Sequence, residues 1–458
     1  MKHPRQAPSP EPQRAPVVTA VEMGYGHLRA AHSLAAALGS EVVLADRPPL
    51  VSPEELRLWK ASRRLYEMTS RASQIPVLGV PLRSALDALT SIPHLHPQRD
   101  LSAPTFPARS LHRLIEQGLG RGLADLLAAT GAPLLSTFFA SAISAEHLGC
   151  EHVYCVVTDV DINRVWVPLR PERSHIVYLT PSQRAVHRLR AYGVPRERIE
   201  FTGFPLPHDL IGGPDLPVLV RNLAGRLVRL DPKGVFRDQT RGEIHHFLGD
   251  LPEDQEDRPP LVTFTVGGAG AQADLARPLL KGLRSLIDEG KLRLALVAGV
   301  RGEIAVKFQE WVREAGLGGH LGDAVRVELA ASLDEYFPFF NQLLAETDVL
   351  WTKPSEMTFF AALGLPLVLT DPLGVHERYN RRWAIENGPG LKQRDPRYAE
   401  FWMREWLNEG TLAAAAWYGF LRLPKYGLYQ ILETVMGREA SSLPLGEGDR
   451  SPRVSTLG

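Results

Sequence analysis

Residues 348–390 read DVLWTKPSEMTFFAALGLPLVLTDPLGVHERYNRRWAIENGPG. Residues 349–351 form a short apolar run between Asp348 and Thr352, the pattern of a strand buried on both faces. Lys353, Pro354 and Ser355 follow, a helix is predicted from Glu356, and Gly364 ends it. Residues 365–369 predict a second buried strand, and the loop 370–374 leads into a helix with His376, Glu377 and Asn380 near its start. Two strand-to-helix turns therefore bring polar groups to the carboxyl ends of adjacent strands, where open α/β sheets bind ligands. Two helix N-termini aimed at one crevice favour an anion such as a diphosphate.

The same alternation runs through the chain in both directions. Strands are predicted near 17–21, 42–45, 133–137, 152–158, 175–179 and 198–202, and again near 261–266, 292–298, 324–328, 347–351 and 366–369, with helical patterns between them. That order implies an α/β fold of mainly parallel sheets covered by helices. Its 458 residues suffice for two domains, and Pro/Gly clusters at 205–214 and 251–260 bracket the boundary. The reading is a tail at 1–16, a first domain at 17–208, an unassigned connection at 209–260 and a second domain at 261–394. Aromatic-rich helices at 395–439 and a tail at 440–458 complete it, both tails being expected to be disordered.

Lys plus Arg equals Asp plus Glu, 52 each, so net charge gives no argument for nucleic acid. The only cysteines are Cys150 and Cys155, and the polar, Pro-rich start carries no signal-like apolar run, which predicts a reducing, cytoplasmic setting. No apolar run is long enough to span a bilayer.

Further loops fit the crevice. MGYGHLRAAH (23–32) opens a helix after the first strand, with Gly24 and Gly26 allowing close ligand approach and His27 and Arg29 beside them. VVTDVDINRVWVP (156–168) ends a strand in Asp159 and Asp161. Either His27 or Asp159 can serve as a general base, and the D-x-D pair leaves a metal site open. In VTFTVGGAGAQADLARPLL (262–280) the amides near Gly267, Gly268 and Gly270 can cradle a diphosphate. Its G-A-G-A-Q-A run also fits a dinucleotide fingerprint. The next strand ends in Gly299-Val300-Arg301 without an acid for a ribose 2′-hydroxyl, which disfavours NAD and leaves NADP open. Arg184, Arg188 and Arg190 read as a solvated helix face, and 54–90 as a basic, aromatic segment suited to a membrane surface or to plain solvent.

Taken in order, strand, K-P-S, T, helix, G-L-P, strand, D-P, G-x-x-E and x-x-N resemble the donor half of GT-B glycosyltransferases. The branch most similar holds monogalactosyldiacylglycerol synthase, the processive diacylglycerol glucosyltransferases and the lipid II-forming N-acetylglucosaminyltransferase. His27 and Ala30 match that branch's G-G-G-H-x-x-A loop, and Thr158, Asp159 and Trp166 match its T-D-x-x-x-x-x-W stretch. The chain departs from it with Ser355-Glu356 in place of two glycines and Ala361 where a ribose-holding Glu stands. The resemblance implies two Rossmann-like domains facing across a cleft, with a C-terminal helix returning to the first; finishing the second core is the other role open to the aromatic tail. It also implies an inverting transfer from a nucleotide sugar, of the UDP class, to an acceptor hydroxyl, lipid among the acceptors, by an enzyme peripheral to the membrane. No cofactor or metal is implied beyond the nucleotide-sugar co-substrate. Lys353, Ser355, Glu356 and Thr358 are then expected near the diphosphate or ribose, Gly374, His376, Glu377 and Asn380 near the sugar, and Gly24, Gly26 and Arg29 on the acceptor-side loop. A nucleotide-sugar epimerase, an NADP-dependent oxidoreductase and a binding protein without catalysis are the rival readings.

Overall fold

The computed structural model describes residues 14–71, 92–96, 100–251, 258–267, 270 and 272–437. The tails 1–13 and 438–458, all of the segment 54–90 beyond its opening helix Pro53–Arg71, and Gly268 lie outside the described residues. Among the described residues, twelve strands form two sheets, each of six parallel strands. The first, in the order β2-β1-β3-β4-β5-β6, uses β1 (Val17–Ala20), β2 (Val43–Leu44), β3 (Leu134–Ser136), β4 (Val153–Val156), β5 (Val177–Thr180) and β6 (Ile199–Phe201). The second, in the order β12-β11-β10-β7-β8-β9, uses β7 (Leu261–Thr265), β8 (Arg293–Gly299), β9 (Val325–Leu329), β10 (Val349–Thr352), β11 (Leu367–Leu369) and β12 (Gly390–Lys392). Strand direction of growth reverses between β1 and β3 in one sheet and between β7 and β10 in the other. Those two switch points are where ligand crevices open in such sheets.

Eleven strands fall where the apolar runs predict them. β12 does not, because its edge position leaves Leu391 half-buried and Lys392 exposed, so no apolar run marks it. Residues 209–260, unassigned from sequence, carry helices at His208–Ile211, Pro217–Leu230, Val235–Gln239 and Arg241–Leu248. The longest packs on the second domain: Arg226 is buried and donates to the carbonyls of Thr347, Leu363 and Gly364, while Arg229 pairs with Asp348 at 2.8 Å.

Both roles open to the aromatic tail are realised by different helices. Trp402, on Ala399–Asn408, packs against Trp351 of β10 at 5.1 Å and so finishes the second core. The last helix, Gly427–Met436, crosses to the first domain. There a Cβ on Gly427 would collide with the Phe204 carbonyl, and the Tyr429 hydroxyl meets His208 Nδ1 at 2.9 Å. Two such domains facing across a cleft, with the last helix returning, are the GT-B architecture that the resemblance implies.

The helix Gln183–Ala191 is not the solvated basic face expected of it. Arg190 is exposed, but Arg188 is fully buried and holds Asp161 through two bonds of 2.7 and 3.0 Å. Arg184 takes the same carboxylate at 2.6 Å. A buried carboxylate needs this compensation, and it explains why two arginines share one turn spacing.

Candidate active site

A cleft of about 840 Å³ lies between the domains, within the range of small-molecule sites. Its walls come from the ends of strands at both switch points: 22–29 after β1, Thr158 and Asp159 after β4, Thr265 to Gly267 at β7, Arg301 after β8, 352–357 at β10 and 373–377 after β11. Of the residues singled out in the sequence, Gly24, Gly26, His27, Arg29, Asp159, Gly267, Lys353, Ser355, Glu356, Gly374, His376 and Glu377 all line it. Gly270, Thr358 and Asn380 do not.

On the first-domain wall, His27 sits in the first turn of the helix Tyr25–Leu38 and is 7% exposed. Its Nδ1 lies 2.7 Å from the Thr137 carbonyl oxygen, which can only accept. Nδ1 therefore carries the proton, and in the neutral ring Nε2 keeps the lone pair, with no hydrogen-bond partner among the described residues. Burial drives the imidazole below its ordinary value of 6.5, against the pull of Asp159, the Thr137 carbonyl and Glu356. A neutral, tautomer-fixed imidazole at a cleft wall is equipped to accept a proton. Phe138 meets its ring edge-on at 4.9 Å, which fixes the ring plane.

Asp159 is half-buried and accepts from Asn380 Nδ2 at 3.1 Å. Asp161 points the other way, wholly buried under Arg184 and Arg188, so the D-x-D pair does not converge on one point.

On the second-domain wall, Lys353 extends over Gly267, where a Cβ would lie 2.6 Å from its Cε. A side chain there would displace the end of Lys353. Lys353 Nζ pairs with Glu377 Oε1 at 3.0 Å, and Glu377 Oε2 accepts from the Leu373 amide at 2.7 Å. Burial works against the ammonium, but the charges of Glu377 and Glu356 outweigh it and raise its pKa. Burial likewise works against the Glu377 carboxylate, and Lys353, His376 and the Leu373 amide bring it below its ordinary range. Ser355 caps the 3₁₀ helix Glu356–Leu363 through the Met357 amide, and Gly374 is the N-cap of Val375–Asn387. The His376 ring folds back to within 3.0 Å of where a Gly374 Cβ would stand. Lys353, the Gly267 backbone beneath it and two helix N-termini thus share one wall, a combination suited to phosphate oxygens.

Of the residues expected to meet a ligand, Arg29 and Asn380 are engaged between the domains and Thr358 is buried. Arg29 leaves the acceptor side and enters the second domain, meeting Glu356 at 3.4 Å and the Tyr336 hydroxyl at 3.4 Å. The rings of Phe340, Phe337, Phe360 and Tyr336 surround its guanidinium at 4.6 to 5.7 Å. Thr358 is fully buried behind the cleft wall, with Oγ1 unpartnered among the described residues. Asn380 is fully buried between the domains.

The cleft also recruits residues that motif reading passed over. Thr265 Oγ1 donates to Thr352 Oγ1 at 2.8 Å, placing two hydroxyls on the terminal residues of β7 and β10. Their position at strand carboxyl ends was the available signal. Tyr25 stacks toward Tyr336 at 5.2 Å, and Gln272, with φ +66, ties the glycine loop to the next one through Asp371 and Thr370.

No protein-family model matches the chain, and no curated protein does. Solved structures do. S. aureus MnaA in its co-structure with UDP is 13% identical, with 92% of this chain and 97% of that one covered, at a TM-score of 0.46. UDP-GlcNAc 2-epimerase from Neisseria meningitidis, bound to UDP-GlcNAc, is 11% identical over 84% of this chain and 98% of its own, at 0.42. A glycosyltransferase from Rickettsia africae is 12% identical over 78% and 87%, at 0.39. Likenesses this slight decide nothing about chemistry.

Among the described residues no group of three or more metal-ligating side chains converges, and no helix is long and apolar enough to cross a membrane.

Proposed function

We propose that the chain is an inverting glycosyltransferase, with a UDP-sugar on the second-domain wall and an acceptor hydroxyl on the first. The observation that supports this best is the opposition of His27 Nε2, unpartnered on a ring held by the Thr137 carbonyl, to the wall built from Lys353, Gly267, Ser355 and Gly374. The acceptor oxygen gives its proton to His27 Nε2, or to Asp159, and attacks the anomeric carbon from the face opposite the diphosphate. The bond from that carbon to the leaving oxygen breaks, and its electron pair goes to the diphosphate. Lys353 and the two helix N-termini stabilise that growing charge. The resemblance extends the acceptor to a lipid hydroxyl, with the basic segment that begins at Pro53–Arg71 on the membrane side.

Calorimetry with UDP, UDP-glucose, UDP-galactose, UDP-N-acetylglucosamine and NADPH tests the donor site. UDP-dependent binding lost in Lys353→Met is expected. NADPH binding without a response to UDP would overturn the reading. Turnover of the sugar nucleotide without any acceptor would replace transfer by epimerisation.

A further inference from the structure

Asn380 lies on the helix Val375–Asn387, one turn beyond His376, yet it is fully buried and faces neither solvent nor the cleft. Its carboxamide makes three hydrogen bonds. Oδ1 accepts from the Val160 amide at 3.0 Å, and Nδ2 donates to the Pro354 carbonyl at 3.2 Å and to Asp159 Oδ1 at 3.1 Å. A backbone amide can only donate and a backbone carbonyl can only accept, so these partners fix which end of the side chain is nitrogen. The remaining Nδ2 proton must then point at Asp159, whose Oδ1 is held as an acceptor. Any proton that Asp159 takes up goes to Oδ2, which has no hydrogen-bond partner among the described residues.

These contacts join pieces that the chain keeps far apart. Pro354 belongs to the loop after β10 that carries Lys353 and Ser355, whereas Asp159 and Val160 belong to the loop after β4 in the other domain. We propose that Asn380 is a positioning residue, which orients the Asp159 carboxylate toward the cleft and does so only when the two domains are closed on each other. Filling the second-domain wall and setting the first-domain acid are then one event, because a single amide reads both loops. This rests on the reading of the cleft as a transferase site only for the role given to Asp159; the coupling itself rests on the three bonds. The titratable groups that interact electrostatically with Asp159 are His27, neutral, from its own domain and Lys353, charged, from the other.

The test has a ligand-free arm and a kinetic arm. In the first, urea unfolding of wild type, Asn380→Ala, Asp159→Ala and the double variant is compared; effects that fail to add are expected, since the two side chains touch. Strict additivity would overturn the proposal. In the second, Asn380→Ala is expected to lower kcat by about 10²-fold while UDP affinity stays within a few-fold, as misplacement of a reacting group does. Asn380→Asp puts a second carboxylate where the amide donated, so its acid limb of kcat/KM moves to higher pH. Asn380→Ser, which keeps one donor, recovers part of the rate and guards against loss of folding. A fall in UDP affinity that matches the fall in kcat would instead make Asn380 a ligand contact and refute positioning. If wild type binds no UDP, the donor reading fails, and the unfolding cycle still decides the coupling.

Discussion

Removing Arg29 tests whether the cleft is held shut by charge. Among the described residues, every contact of its guanidinium is in the second domain: Glu356, the Tyr336 hydroxyl and four aromatic rings. Deleting one partner of a buried ion pair typically costs about 3–5 kcal/mol. Here the separation is 3.4 Å, long for a charge-assisted bond, and Glu356 borders the cleft, so about 2 kcal/mol is the better figure. The rings contribute about 1 kcal/mol more, with Phe340 nearest at 4.6 Å. Against this, Arg29 Nη1 is buried with no hydrogen-bond partner among the described residues, and losing that orphan donor returns about 1 kcal/mol. Arg29→Ala should therefore weaken closure by about 2 kcal/mol, roughly a 30-fold shift. Glu356→Ala should be worse, about 3–4 kcal/mol, because it leaves a guanidinium among rings without its carboxylate. The double variant should be milder than Glu356→Ala alone. Small-angle scattering of the ligand-free protein reads the opening, and urea unfolding reads the energies. Refutation would be Arg29→Ala matching or exceeding Glu356→Ala, or a double variant equal to their sum.

Asp161→Ala strands Arg188, which is fully buried, and should cost about 3–5 kcal/mol in unfolding experiments while leaving UDP affinity of the surviving folded protein intact. For His27 the folded pKa lies below 6.5, so the unfolded chain binds more protons and stability should fall as pH drops beneath 6.5; His27→Gln should flatten that part of a urea-derived stability profile. Glu377 has the same sign in a lower window: its folded pKa is depressed, so its contribution is present above the ordinary value of 4.5 and lost as pH falls through the folded one, and Glu377→Gln should remove it. Gly427→Ala should lift the last helix from Phe204 and cost about 1–3 kcal/mol, seen as faster amide exchange across Gly427–Met436 with the second domain unaffected.

The strands were legible because parallel strands covered on both faces must be apolar along their whole length, and 261–265 or 349–352 therefore announce themselves. β12 was silent for the same reason in reverse, since an edge strand of three residues needs no such run. Glycine positions carried more. Gly364, at φ +69, ends the 3₁₀ helix where the sequence predicts a stop, because few other residues adopt that conformation. Arg188 reads as solvated from sequence because a periodic pattern of arginines looks the same whether water or a distant carboxylate compensates the charge; only the fold brings Asp161 beneath it.

The site follows the same division. Which loops form it is a local property, set by strand ends, glycines and helix starts, and those loops line the cleft. Which side chain in a loop meets a ligand depends on what stands across the cleft, a relation between residues separated by hundreds of positions. Arg29 and Glu356 are 327 residues apart, and Asn380 and Asp159 are 221 apart. Charged and amide side chains near both cleft walls thus have two uses that local sequence cannot separate, contact with a ligand and contact with the facing domain. The structure separates them by burial: Lys353, Ser355 and His376 remain accessible, whereas Arg29 and Asn380 are enclosed by the partner domain. Substituting an enclosed residue should therefore change closure first and ligand affinity second, and substituting an accessible one should do the reverse.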